Sequence, residues 1–173
     1  ARDTVWLGQG ANQPAELVVE SGARLKTGGV YIGTAADSGA TNCAGTVRQE
    51  GGRVEVTHTD GLFIRDYGAS DGAYLMNGGT FASPVGSWAN IGSKGHGYVT
   101  VNGGAMTLGR LAMGYKDEGV SSFTGPGGHL AVNGGRLAVA GSCSWMSDAY
   151  RNRYNTVVLG NGTPGIGELD LVA

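Results

Sequence analysis

Short runs of alternating apolar and polar residues recur along the chain, each ending in a glycine-bearing turn. Glu20-Ser21-Gly22, Glu50-Gly51-Gly52, Asn77-Gly78-Gly79, Asn102-Gly103-Gly104 and Asn133-Gly134-Gly135 mark five such turns, with their last glycines 30, 27, 25 and 31 residues apart. One place before each turn stand Val19, Gln49, Met76, Val101 and Val132; three places before stand Leu17, Val47, Tyr74, Val99 and Leu130. The residues between these two columns, Val18, Arg48, Leu75, Thr100 and Ala131, are mixed. Such alternation predicts a strand buried on one face. After most turns it resumes, as Val54 and Val56, Met106 and Leu108, Leu137 and Val139. A third element ends in an apolar residue plus glycine: Leu7-Gly8, Ile32-Gly33, Ile91-Gly92, Met113-Gly114 and Leu159-Gly160, with Ile64-Arg65 as its variant.

Three short strands in a unit of about 28 residues predict an all-β fold in which each unit is one coil of a parallel β-solenoid. The expectation is a single right-handed β-helix spanning residues 1–173, with about six coils and a length of roughly 29 Å at a strand spacing of about 4.8 Å. An antiparallel meander is the rival, because Asn-Gly between alternating apolar residues is also a hairpin signal. It accounts for each turn but not for the regular third strand. The last segment, VVLGNGTPGIGELDLVA, matches the first, VWLGQGANQPAELVVESG, which places a further turn at Val172. The chain is expected to be a segment of a longer surface protein, with uncapped end coils able to stack on other copies.

Composition gives the turns a physical cause and removes several function classes. Glycine supplies 34 of 173 residues, against a usual level near 7%, as tight corners with positive φ require. With 40% hydrophobic and 15% charged residues the chain is too apolar for solvated disorder, and 4 prolines without a triplet period exclude collagen. A net charge of −2, from 12 basic and 14 acidic residues, offers no basic stripe for nucleic acid. No apolar run approaches the roughly 20 residues of a bilayer-spanning helix, so membrane insertion is not expected. The first residues lack the pattern of a signal peptide, so a targeting segment is expected to have been removed or to lie upstream. Stacked coils would align Asn77, Asn102 and Asn133, which either share amide hydrogen bonds or, the reading preferred here, tolerate left-handed turn geometry. Gln49, the polar exception in the inner columns, needs a partner if buried.

The segments YVTVNGGAMTLG and HLAVNGGRLAVAG resemble the autotransporter-associated β-strand repeats of passenger regions in large bacterial surface proteins. The resemblance extends over nearly the whole chain as a glycine and aliphatic pattern. It implies an extracellular or cell-surface parallel β-solenoid serving as a stalk or adhesive surface, with no catalytic residues to carry over.

Function is sought where the repeat is interrupted, because loops on a regular scaffold carry specific contacts. An inserted loop at 141–155, GSCSWMSDAYRNRYN, concentrates Trp145, Met146, Tyr150, Arg151, Arg153 and Tyr154. Trp, Tyr and Arg dominate binding hot spots, which makes this loop the candidate contact with a glycan or surface ligand. The alternative is that it folds back, its aromatics covering the rod. A second interruption, Tyr115 to Gly128, reads as a solvated loop with Lys116, Asp117 and Glu118.

No motif of nucleophilic, metallohydrolase or nucleotide chemistry is present. Asp37, Asp66 and Asp117 occupy different places after their anchors, and Asp66, Tyr67 and Asp71 read as turn or solvated residues. His58, His96 and His129 stand at three different places in the repeat without ligand spacing, so neither a metal nor a cofactor is expected. Cys43 and Cys143 are expected about three coils apart, roughly 14 Å and beyond disulfide reach. The expectation is a non-catalytic structural or adhesive solenoid. The alternative, a carbohydrate-active β-helix enzyme, requires a groove lined by acidic and basic groups from adjacent coils.

Overall fold

The computed structural model describes residues 3–10, 12–34, 43–64, 71–92, 96–113 and 127–141 in full, together with the strand backbone at 143–144, 156–159 and 167–171. In chain order the strands are β1 (Thr4–Leu7), β2 (Ala15–Val19), β3 (Arg24–Ile32), β4 (Gly45–Gln49), β5 (Arg53–Ile64), β6 (Asp71–Met76), β7 (Thr80–Ala82) and β8 (Trp88–Ile91). They continue as β9 (His96–Val101), β10 (Ala105–Leu108), β11 (Arg110–Met113), β12 (Gly128–Val132), β13 (Gly135–Val139), β14 (Cys143–Ser144), β15 (Thr156–Leu159) and β16 (Gly167–Leu171).

The strands before the turns stack as one sheet, in the order β15-β12-β9-β6-β4-β2. The remainder form a second sheet along β14-β11-β8-β5-β7-β10-β13-β16, with β3 joining β1 to β5. Every pairing among the described residues is parallel, which excludes the antiparallel meander. The fold is an all-β parallel solenoid of about four turns built on two parallel sheets. Three strand elements per coil resolve into two sheets because β3 and β5 run unbroken through the second and third positions, so that β5 pairs with both β7 and β8.

Register aligns the two apolar columns. Val19, Gln49, Met76, Val101 and Val132 are successive partners, and so are Leu17, Val47, Tyr74, Val99 and Leu130. All are buried except Leu17, which packs partly buried against the core. The opposite wall comes from Val54, Val56, Phe81, Met106, Leu108, Leu137 and Val139, and from Ile32, Ile64, Ile91 and Met113 of the third elements. Each such aliphatic side chain contributes about 1.5–3 kcal/mol by leaving water, and that burial, repeated coil by coil, holds the rod together.

Coil-to-coil spacing leaves no room for a Cβ at the corners of Gly52, Gly79, Gly104 and Gly135. Gly79 and Gly104 have φ of +79° and +80°, and a Cβ on Gly104 would run into the carbonyl oxygen of Gly79. A second glycine row, Gly45, Gly72, Gly97 and Gly128, stands at the first or second position of its strands in the first sheet and stacks in register. A Cβ on Gly45 would sit 2.8 Å from the Leu7 carbonyl oxygen. This row is spaced by coil geometry and has no turn signal of its own, so the sequence pattern did not single it out.

The matched end segments occupy different places in the coil. β1 stacks on the second half of β3 and β2 on β4, whereas β15 stacks on β12 and β16 on β13. Leu159 therefore ends a strand of the first sheet rather than a third element, and β16, stacked on β13, holds the place of a strand that follows a turn, not of one that leads into a turn at Val172. An apolar residue followed by glycine is a two-residue signal shared by two positions in the coil. The strand below decides between them.

Candidate functional site

The loop residues Trp145, Met146, Tyr150, Arg151, Arg153 and Tyr154 lie outside the described residues. The loop expected at 141–155 does contain a strand at its start: β14 pairs Cys143 and Ser144 with Leu111 and Ala112. Cys43 is fully buried, with its Sγ donating to the Gln9 carbonyl at 3.6 Å. Cys43 leads into the coil of β5, and β14 lies three strands further along the same sheet.

At the first corner the turn residues form a hydrogen-bonded column. The Asn133 amide donates to Asn102 Oδ1 at 2.8 Å, Asn102 donates to Asn77 Oδ1 at 2.9 Å, and Asn77 donates to Glu50 Oε2 at 3.0 Å. The preferred reading, tolerance of left-handed geometry, is corrected. Among the described residues only Asn12 combines a side chain with positive φ, while the turns place that conformation on Gly22, Gly52, Gly79, Gly104 and Gly135. Asparagine is used for its side-chain amide, which both donates and accepts along the stacking direction. Glu50 ends the column as an acceptor, its carboxyl held below the usual range first by the Asn77 amide and then by Arg48. Arg48 bridges Glu50 at 2.6 Å and Glu16 at 3.0 Å.

The buried polar exception is satisfied. Gln49 is fully buried and its Nε2 donates to the carbonyls of Gly51 (3.1 Å), Gly52 (3.4 Å) and Thr80 (3.0 Å), while the Tyr74 hydroxyl donates to its Oε1 at 2.7 Å. Burial pushes the Tyr74 phenol far up, so it remains a donor. Its ring meets Phe81 edge to face, with centroids 5.4 Å apart.

Two groups of rings lie on the outer faces. Trp6, Tyr31 and Phe63 are register partners on β1, β3 and β5, and their rings stack with centroids 4.1 and 4.8 Å apart. Stacking covers the ring faces between neighbours, and Trp6, at 44% exposure, is the most open of the three. On β8 and β11, Arg110 lies over the Trp88 ring at 5.2 Å. On the first sheet Tyr98 and His129 are register partners, with His96 two residues before Tyr98. His96 and His129, assigned above to different places in the repeat, thus come within 6.4 Å of each other. A signal was present: Tyr98 and His129 each stand four residues before the asparagine of their turn.

Charged groups pair along the outer faces. Arg24 and Arg53 meet Glu55 at 3.0 and 3.4 Å, and Glu55 is held below the usual carboxylate range, chiefly by the Arg24 hydrogen bond. Carboxylates held ionised in this way are poor proton donors. His58 Nδ1 meets Thr59 Oγ1 (3.2 Å), the Asp60 backbone N–H (3.3 Å) and Asp60 Oδ1 (3.4 Å). Asp37, Asp66, Tyr67 and Asp117 lie outside the described residues. Among the described residues no three His, Cys, Asp or Glu side chains converge as metal ligands. Comparison with protein-family models, with curated proteins and with solved structures finds no match to this chain.

Proposed function

We propose that this chain is a non-catalytic structural and adhesive segment of an extracellular bacterial surface protein, of the autotransporter-associated repeat kind suggested by YVTVNGGAMTLG and HLAVNGGRLAVAG. Its solenoid winds right-handed, as parallel strand crossovers do, and the six strands of the first sheet count one per coil. Contact with a glycan or surface ligand is made by Trp145, Met146, Tyr150, Arg151, Arg153 and Tyr154, and the end coils stack on other copies.

One observation carries this reading. The inward rows are filled coil after coil by buried aliphatic side chains, and their polar member, Gln49, is spent on Tyr74 and backbone carbonyls. The interior serves cohesion, which leaves contact to the outer faces and loops. Catalysis on a β-helix would instead need acids and bases from adjacent coils lining one facet, and the Glu16–Arg48–Glu50 and Arg24–Glu55–Arg53 groups are consumed in mutual ion pairs.

The test is a glycan array probed with the wild type and with W145A/Y150A/R151A. The expected result is binding by the wild type that is lost in the triple variant, with the β signal in circular dichroism unchanged. Equal binding by both proteins removes the loop from the reading, and release of new reducing or unsaturated ends from a polysaccharide overturns the non-catalytic assignment.

A further inference from the structure

We infer that the outer face of the first sheet carries an acid-responsive element: His96, Tyr98 and His129 form one ring stack while both imidazoles are neutral, and protonation drives it apart. Tyr98 on β9 and His129 on β12 are direct register partners with ring centroids 5.0 Å apart and planes 12° apart. His96 lies on the same face of β9, with centroids 5.9 Å from Tyr98 and 6.4 Å from His129. Three rings on adjacent strands therefore share one patch, and two of them are imidazoles, the side chain able to take up a proton.

His96 Nδ1 is buried and has no hydrogen-bond partner among the described residues, so an N–H added there would meet no acceptor among them. Burial first, and then the neighbouring His96, hold His129 below the usual imidazole range. Among the described residues the charged group facing the stack from β6 is Asp71, in register with His96. Burial first, and then the field of Asp71, raise the Tyr98 phenol. β9 contributes His96 and Tyr98 themselves, and the β15 position in register with His129 is Thr156, which is uncharged. One carboxylate can offset only one of two imidazolium charges.

The sign follows from linkage. A histidine whose folded value is depressed contributes full stability above the unfolded value of about 6.5, and that contribution fades as pH falls below it. Acid would thus add positive charge to this aromatic patch, with Tyr98 at 37% exposure, and loosen it.

The experiment is an NMR titration of the imidazole Cε1–H signals in the wild type and in H96Q. His129 is expected to titrate below the ordinary imidazole value, and its midpoint is expected to rise in H96Q. A midpoint at or above the ordinary value, or one unmoved by H96Q, overturns the element. Should H96Q not fold, the wild type decides: nuclear Overhauser contacts from the Tyr98 ring to both imidazoles are expected at pH 7.5 and lost at pH 5.0. Their persistence at pH 5.0 overturns the proposal.

Discussion

Replacing Tyr74 by Phe removes one oxygen from the core and leaves Oε1 of Gln49 buried without its 2.7 Å donor. Leaving a buried acceptor unsatisfied costs about 1–3 kcal/mol, whereas removing both partners of a buried hydrogen bond costs far less. Gln49→Met produces the complementary orphan, the Tyr74 hydroxyl, and also withdraws a donor from the carbonyls of Gly51, Gly52 and Thr80. Methionine suits the position because Met76 fills the same row one coil on. In the double variant neither orphan exists. Its destabilisation should therefore fall short of the sum of the single ones by about 1 kcal/mol or more. Urea unfolding followed by far-UV circular dichroism reads the difference as a shift in midpoint at constant slope, and melting should shift by about 2–4 °C for each kcal/mol. Additivity within about 0.5 kcal/mol would refute the reasoning, since independent sites behave in that way.

Two further outcomes are expected. Gly22 and Gly104 share a positive φ, yet a Cβ on Gly22 meets nothing within 4 Å while one on Gly104 strikes the Gly79 backbone. Gly22→Ala should cost about 1 kcal/mol and Gly104→Ala distinctly more, on the order of 2–4 kcal/mol; equal losses in thermal unfolding would show that the coils are not in close contact at this corner. Glu50, held below its usual range by Asn77 and Arg48, stabilises the fold above the ordinary glutamate value, and that contribution fades as pH falls below about 4–5. Glu50→Gln should flatten this part of the stability–pH profile, and a slope identical to that of the wild type would dismiss the carboxylate as the end of the asparagine column.

Much of the fold was legible along the chain because its causes are local. Side-chain alternation has a period of two residues, so the columns headed by Val19 and Leu17 already separated inner from outer positions. Glycine alone adopts positive φ without penalty, so the corners at Gly22, Gly52, Gly79, Gly104 and Gly135 could be placed before any pairing was known. Gln49 stood out as a polar residue that needed a partner, although its partner could not be named: Tyr74 lies 25 residues away.

Local pattern thus specifies the strand, the turn and the inward face. Tertiary structure decided which residues meet, because the coils differ in length and pairing between them is a property of stacking and not of local pattern. Only stacking brings Trp6, Tyr31 and Phe63 into one ladder, sets His129 against Tyr98, and turns three asparagines into a column ending on Glu50. It also assigned Leu159 to the first sheet, where the local signal pointed to a third element. Two residues cannot encode their neighbour in the next coil; the rows of buried side chains beneath them can, because a wrong register would bury the outer face.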